Sequence, residues 1–258
     1  MGSASREALA AAKAALSGSL DSATGAELLA AAAQIGASSS LVGALADSSL
    51  PASSRAEIVG RLFGSLSAGA RSVLTSAVEQ NWSNGPELVD GIEELGLRAQ
   101  AISEPGLAEQ LLGAASVIDS SHELELELGN KLGDPNAKAA LAAGIFSGKI
   151  SSAALGALTH FVAHPRGRRV SAALRESARI VADQGGSELA TVTFAAPLTD
   201  AQQQKLASLL EQNVGRPVMI TTVVDPALVG GLRVQIGDEV IDGSVRTRLE
   251  DLRQRLAA

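Results

Sequence analysis

Three groups of residues in this 258-residue chain have types and spacings that chemistry uses. His160 and His164 stand four apart, so on a helix they share a face and could begin a zinc site. Such a site needs further ligands, and the neighbouring residues offer none. The run HELELEL, His122 to Leu128, spaces Glu123, Glu125 and Glu127 evenly, as a cation site or a solvated face would, and the solvated face is the expectation. The loop HPRGRR, His164 to Arg169, is the sharpest basic feature of an acidic chain. It reads either as a docking point for an acidic partner segment or as Arg168 and Arg169 solvating the start of a helix, and the second reading is expected. A phosphate-cradling GxxxxGK[ST] loop does not occur, and neither Gly185-Gly186 nor Gly230-Gly231 leads into Lys-Ser or Lys-Thr. The expectation is therefore no catalytic set, no metal, no cofactor and no direct nucleotide binding.

Composition limits what could position such residues. The 46% hydrophobic content leans on Ala and Leu, aromatics are 2%, and Tyr is absent. A core of that kind is built best from closely approaching helices, because Ala combines high helix propensity with little bulk. A net charge of −7 argues against a nucleic-acid partner, which calls for a basic face. With no cysteine there is neither disulfide nor thiolate chemistry. No apolar run approaches the roughly 20 residues that span a bilayer. The opening MGSASREALAAAKAAL also lacks a basic segment followed by a strongly apolar one. A soluble, intracellular protein without membrane insertion is expected.

Gly, Ser and Pro punctuate the first 183 residues into short helical segments near 5–16, 26–35, 39–46, 53–62, 68–80, 86–102, 107–118, 122–131, 136–146, 152–163 and 169–183. HELELEL alternates like a strand, but its repeat partner SSLVGAL does not, and helix is the reading. At an offset of 83, Leu29 meets Leu112, Leu41 meets Leu124, Leu45 meets Leu128, Arg55 meets Lys138 and Phe63 meets Phe146. At an offset of 84, Leu74-Thr75 meets Leu158-Thr159 and Val78 meets Val162. A duplication is the simplest account. Trp82, in NWSNGP between two helices, reads as a half-buried cap over the first bundle.

Composition changes near Gln184-Gly185-Gly186-Ser187, which reads as a hinge. Beyond it TVTF and VMITTVV read as strands. A helix capped by Thr199 or Asp200 runs to Asn213 with Leu206, Leu209 and Leu210 inward. LRVQI, Leu232 to Ile236, alternates as a half-buried strand, and Val240-Ile241 resumes the apolar run after a turn. A last helix follows with Val245, Leu249, Leu252 and Leu256 on one stripe. The fold class expected is mostly α: a duplicated N-terminal helical bundle region, residues 1–104 and 105–186, followed by a small α+β domain, 187–258.

The stretch IGDEVIDGSVRTRLEDL, with TVTFAAPLTDAQQQKLASLLEQNVGRPVMITTVVDPALVGG before it, resembles the C-terminal signature of the delta subunit of bacterial F-type ATP synthase, the oligomycin-sensitivity-conferring protein family. The resemblance covers roughly the last quarter of the chain closely, while the helical remainder fits that family's N-terminal domain in pattern. It implies a non-catalytic stator subunit in proton-driven ATP synthesis, peripheral at the cytoplasmic face of the cell membrane. It further implies partners: the helical domain grips N-terminal helices of the alpha subunits, and the C-terminal domain holds the b subunit. The family's alpha-binding groove lies between the first and fifth helices. Carried onto this chain, it points to Arg6, Leu9 and Lys13 with Leu74 and Val78. The stripe Val245, Leu249, Leu252 and Leu256 falls to the b subunit or to the domain core. The family carries one helical bundle and this chain carries two, so two readings of the alpha contact stand, with the first copy expected. Alternatives are a helical-repeat adaptor unrelated to ATP synthesis, or an enzyme with a site between bundle and tail.

Overall fold

The computed structural model describes residues 1–17, 20–21, 23–130, 132–194, 199–224, 228, 230–237 and 239–242. Its chain order begins with α1 (Ser3–Lys13), a 3₁₀ turn (Ala14–Ser17), α2 (Thr24–Gly36), α3 (Ser39–Ala46), α4 (Ala52–Leu62), α5 (Ala68–Glu79) and α6 (Gly85–Ser103). It continues with α7 (Leu107–Ser120), α8 (His122–Gly129), α9 (Pro135–Phe146), α10 (Ser152–Ala163) and α11 (Val170–Gln184). Then come β1 (Glu188–Phe194), α12 (Asp200–Val214), β2 (Val218–Val224), β3 (Leu232–Ile236) and β4 (Glu239–Asp242). Two compact units result, Met1–Val181 and Ala182–Ala258. The architecture is mostly α with a small α+β unit. No single described helix is long and apolar enough to cross a membrane.

Six helices of the first unit, α3, α5, α6, α8, α9 and α10, start where a side chain accepts an orphan backbone N–H group of the first turn. Ser38 accepts from Leu41 N–H to open α3, and Ser121 accepts from Leu124 N–H to open α8. Ser67 and Ser151 do the same for α5 and α10. These caps recur at the offsets seen in the sequence. Thr24 and Leu107, Ser39 and His122, and Ala52 and Pro135 open matching helices 83 residues apart, and Ala68 and Ser152 open the next pair 84 apart. Tertiary contacts recur as well. The N–H of Ser67 donates to Glu27 Oε2 at 3.0 Å, and the N–H of Ser151 donates to Gln110 Oε1 at 2.6 Å. Arg55 and Lys138, matched in sequence, are both buried and both donate to backbone carbonyls, those of Glu79 and Gln80 and that of Asn130. HELELEL is helical, because a serine cap and a buried Leu128 override its alternation.

Apolar residues at matched positions are buried in both halves of this unit: Leu28, Ile35, Leu45 and Phe63 in the first core, Leu111, Ile118, Leu128 and Phe146 in the second half. Helix α6 serves both, with Leu88, Ile92 and Leu95 in the first core and nearly its whole middle buried. Trp82 is buried rather than half-buried, at 5% exposure. Its Nε1–H donates to Ala77 O at 2.8 Å, and its ring lies where a side chain on Gly91 would have to go. Aromatic mass is scarce here, so this indole fills space that small residues leave open.

In the second unit the strand order is β2-β1-β3-β4. β1 runs parallel to β2, which requires a crossover, and α12 supplies it. β1–β3 and β3–β4 are antiparallel, with Ala190 opposite Ile236, Val192 opposite Val234 and Phe194 opposite Leu232. Those alternate residues share one face and pack with Leu206 and Leu210 of α12. Leu209 departs from the expected inward trio: it is 48% exposed, because the stripe facing the sheet is narrower than three adjacent leucines. Thr199 and Gln202 form a reciprocal capping box at the start of α12. Thr199→Ala should lower the stability of this unit by about 1 kcal/mol. An earlier urea midpoint for strand and helix signals would register it, and an unchanged midpoint would refute the cap's contribution.

Candidate functional site

The densest polar arrangement of the helical unit sits where α6 meets α10 and the loop after it. α6 is placed by Asn84, whose side chain accepts from Glu87 N–H, and by Pro86 in its first turn. About two turns further on, Glu93 turns away from the first core, and its side chain is only 4% exposed. His160 Nε2 lies 2.8 Å from Glu93 Oε1. Arg168 Nη2 donates to Glu93 Oε2 at 3.0 Å, and Arg166 Nη2 donates to the same oxygen. Arg166 also reaches Asp90 Oδ1 at 2.5 Å. The Arg168 guanidinium stands 5.3 Å from the Phe161 ring centre, within cation–π range.

The loop backbone is shaped to make these contacts. Arg166 occupies the left-handed region at φ 44°, uncommon for a residue with a side chain, and Gly167 follows at 81°. That conformation folds HPRGRR back over α6, and the ion pairs with Asp90 and Glu93 hold it. The loop is thus an internal anchor, not the solvated helix start expected for Arg168. Only Arg169 behaves in that way, 80% exposed and 3.2 Å from Glu125.

Burial works to raise the Glu93 pKa, since a carboxylate loses its hydration there. The His160 hydrogen bond and the charges of Arg166 and Arg168 outweigh it, and the carboxyl ends below its ordinary range. His164 is shifted downward, by burial first and by His160 next. Its ring lies 5.3 Å from that of His160, while the neighbouring Glu93 carboxylate is engaged by His160 and two guanidiniums. No set of three or more His, Cys, Asp or Glu placed to hold a metal occurs among the described residues. With no nucleophile among its members, this group suits holding helices together rather than reacting.

Residues expected at the alpha-binding groove are only partly brought together. Arg6 is exposed, and its Nη1 donates to Met1 O at 2.9 Å. Lys13 pairs with Glu94 at 3.2 Å, and Glu94 also pairs with Arg98. Leu9, Leu74 and Val78 lie inside the first core. Val245, Leu249, Leu252 and Leu256 lie outside the described residues. Sequence reasoning missed Glu93 and Asp90 altogether. The available signal was indirect: a cluster of arginines beside paired histidines in an acidic chain needs carboxylates nearby.

A scan against family models matches residues 94–256 to "ATP synthase delta (OSCP) subunit". The ATP synthase subunit delta of Leifsonia xyli is 43% identical over 100% of this chain and 100% of its own length. That of Streptomyces avermitilis is 35% identical, covering 99% of this chain and 98% of its own. This chain belongs to the ATP synthase delta (OSCP) subunit family. Members of that family are structural, non-catalytic subunits. The ATP synthase subunit delta of Nocardia farcinica, at 38% identity, spans 98% of this chain and 96% of its own length. A chain of the Toxoplasma gondii mitochondrial ATP synthase hexamer overlaps 63% of this chain and 96% of its own, at TM-score 0.42 and 17% identity, too distant to add to the assignment.

Proposed function

We propose that the chain is a stator subunit of an F-type ATP synthase, joining the alpha subunits of the catalytic head to the b subunit of the peripheral stalk. It would act at the cytoplasmic face of the cell membrane, resisting the torque of proton-driven ATP synthesis. Full-length likeness to proteins named ATP synthase subunit delta carries the reading. The mechanical role needs binding faces and resistance to shear, and the Glu93 ion-pair group provides the second by tying α6 to α10 and its loop. Purification of the tagged full chain from its native membranes should recover alpha, beta and b chains together. Recovery of none of them would end the stator proposal.

Two bundles raise the question of which one meets the alpha subunits. The second copy's equivalents of the first and fifth helices are α6 and α10, and α10 faces α2 of the first copy across a shared cleft. The first copy's own pair, α1 and α5, presents Arg6, Arg71 and Ser72 to solvent. The alpha helix is therefore assigned to the α1–α5 side, with Arg6 and Lys13 at its edge and Leu9, Leu74 and Val78 supporting it from beneath. The b subunit is assigned to the second unit, on the Val245, Leu249, Leu252 and Leu256 stripe. Arg71→Glu in the full chain should weaken an alpha N-terminal peptide by about tenfold, a rim-to-anchor effect near 1.4 kcal/mol, with melting unchanged. Calorimetry showing equal affinity would move the contact elsewhere.

A further inference from the structure

A cleft of about 920 Å³ lies between α3, the first turns of α6 and the HPRGRR loop, and neither the stator role nor the Glu93 brace uses its interior. A volume of that order, mostly apolar and carrying a few placed polar groups, is typical of small-molecule sites. Val42 and Ala46 of α3 and Pro86 and Val89 of α6 give it an aliphatic floor. Among the described residues no aromatic side chain lines it, so a base or ring would find nothing to stack on. Gly43 keeps the centre open, with no atom within 4 Å of where its Cβ would stand.

Arg166 and Arg168 form the polar wall, and their heads converge because each donates through Nη2 to the same Glu93 Oε2. Arg166 Nη2 also serves Asp90, and Arg168 Nε reaches Pro165 O at 3.5 Å. The Nη1 groups of both arginines donate to no atom of the described residues. The carboxylates that line the cleft are already supplied with donors. Asp90 has Arg166, and Asp47 accepts from the N–H and the hydroxyl of Ser49 at 2.8 and 2.6 Å. What stays open on the wall is therefore mostly donor capacity. The two arginine side chains are 28% and 36% exposed, so their heads can turn toward an occupant.

We propose that this cleft binds a free aliphatic monocarboxylate, with its head on Arg166 and Arg168 and its chain along Val42 and Val89. Guanidinium matches a planar carboxylate with parallel, charge-assisted hydrogen bonds, which supplies the acceptor that the wall lacks. A single charge suits the site better than a phosphate dianion. Asp90 and Glu93 share the same arginines, and their repulsion of a dianion would be twice that of a monoanion. Occupancy would join α3 of the first copy to the loop after α10 of the second, adding a tie from outside to the one that Glu93 makes from within. Such binding is independent of the stator role.

Decanoate is the probe, titrated into the full chain by calorimetry. One molecule should bind per chain, and saturation should raise the melting temperature by about 2–4 °C, since a ligand held only by the folded state stabilises it. Decanamide, with the same chain and no charge, should bind at least about tenfold more weakly. Gly43→Leu puts a side chain into the open centre without touching the ion pairs. It should abolish binding while the unliganded variant melts no earlier than the natural chain. Binding that survives Gly43→Leu would overturn the proposal, as would equal affinities for decanoate and decanamide. Uptake of many molecules without saturation would show a detergent effect and overturn it too. Sedimentation of the chain with phosphatidylglycerol vesicles, released by Gly43→Leu, would give the cleft to a membrane lipid and remove the free acid.

Discussion

Replacing Glu93 with alanine should lower the melting temperature of the helical unit by roughly 6–12 °C. Removing one member of a buried charge group costs about 3–5 kcal/mol, because the remaining charges lose their counter-ion without regaining water. The lower end applies here. Arg166 and Arg168 are 28% and 36% exposed at their side chains and can turn partly to solvent, and Arg166 keeps Asp90. About 3 kcal/mol in a unit of this size corresponds to 2–4 °C for each kcal/mol. Differential scanning calorimetry would measure it, and a change below about 2 °C would show that the cluster is electrostatically idle.

The same group sets a dependence on pH, with a definite sign. Glu93 has a folded pKa below its unfolded one, so its contribution is fully present above the ordinary glutamate range. It is lost as pH falls through the lowered folded value. The melting difference between the natural chain and Glu93→Gln should therefore be largest near neutrality and shrink on acidification. If that difference grew toward acid, the carboxylate would not be the species held by Arg166 and Arg168.

What the sequence disclosed followed from local rules. Serines before α3, α5, α8 and α10 mark helix starts whatever lies around them, and the matched Leu45–Leu128 and Phe63–Phe146 pairs mark a repeated core. The chain from β1 to β4 declared itself through period-2 alternation and β-branched runs. The ion-pair group was hidden for a physical reason. Glu93 and Glu94 are neighbours in one helix, and nothing local distinguishes the one that ends at 4% exposure from the one that pairs with Lys13 near the surface. The distinction arises only when α10 and the HPRGRR loop arrive from some 70 residues away in sequence. The alpha-groove expectation met a related limit. Spacing put Leu74 and Val78 on one stripe of α5 but could not say whether that stripe faces a partner or the core, and it faces the core.

Alanine in place of Gly25 should destabilise the helical unit by about 2–3 kcal/mol, although alanine is the better helix former. Gly25 lies where α2 crosses α6, facing Gly96. A Cβ at Gly25 would stand 2.3 Å from Gln100 Cγ, 2.7 Å from Gly96 O and 2.8 Å from Gln100 N. Two of those atoms are backbone of a buried helix, so the clash can be relieved only by parting the helices. Gly60 on α4 supplies the opposite case, because a Cβ there meets nothing within 4 Å. Gly60→Ala should stabilise by roughly 0.5–1 kcal/mol, since it removes backbone freedom from the unfolded chain without a steric cost. One chemical change is thus expected to act with opposite signs at two sites. The Gly25 effect should reach beyond stability, because α6 carries Glu93 and serves both helical copies. Parting α2 from α6 displaces the carboxylate from His160 and the loop arginines, so Gly25→Ala should blunt the pH dependence that Glu93 confers as well as lowering the melting point. A Gly25→Ala chain that melts at or above the natural temperature would show that the crossing is looser than its geometry implies.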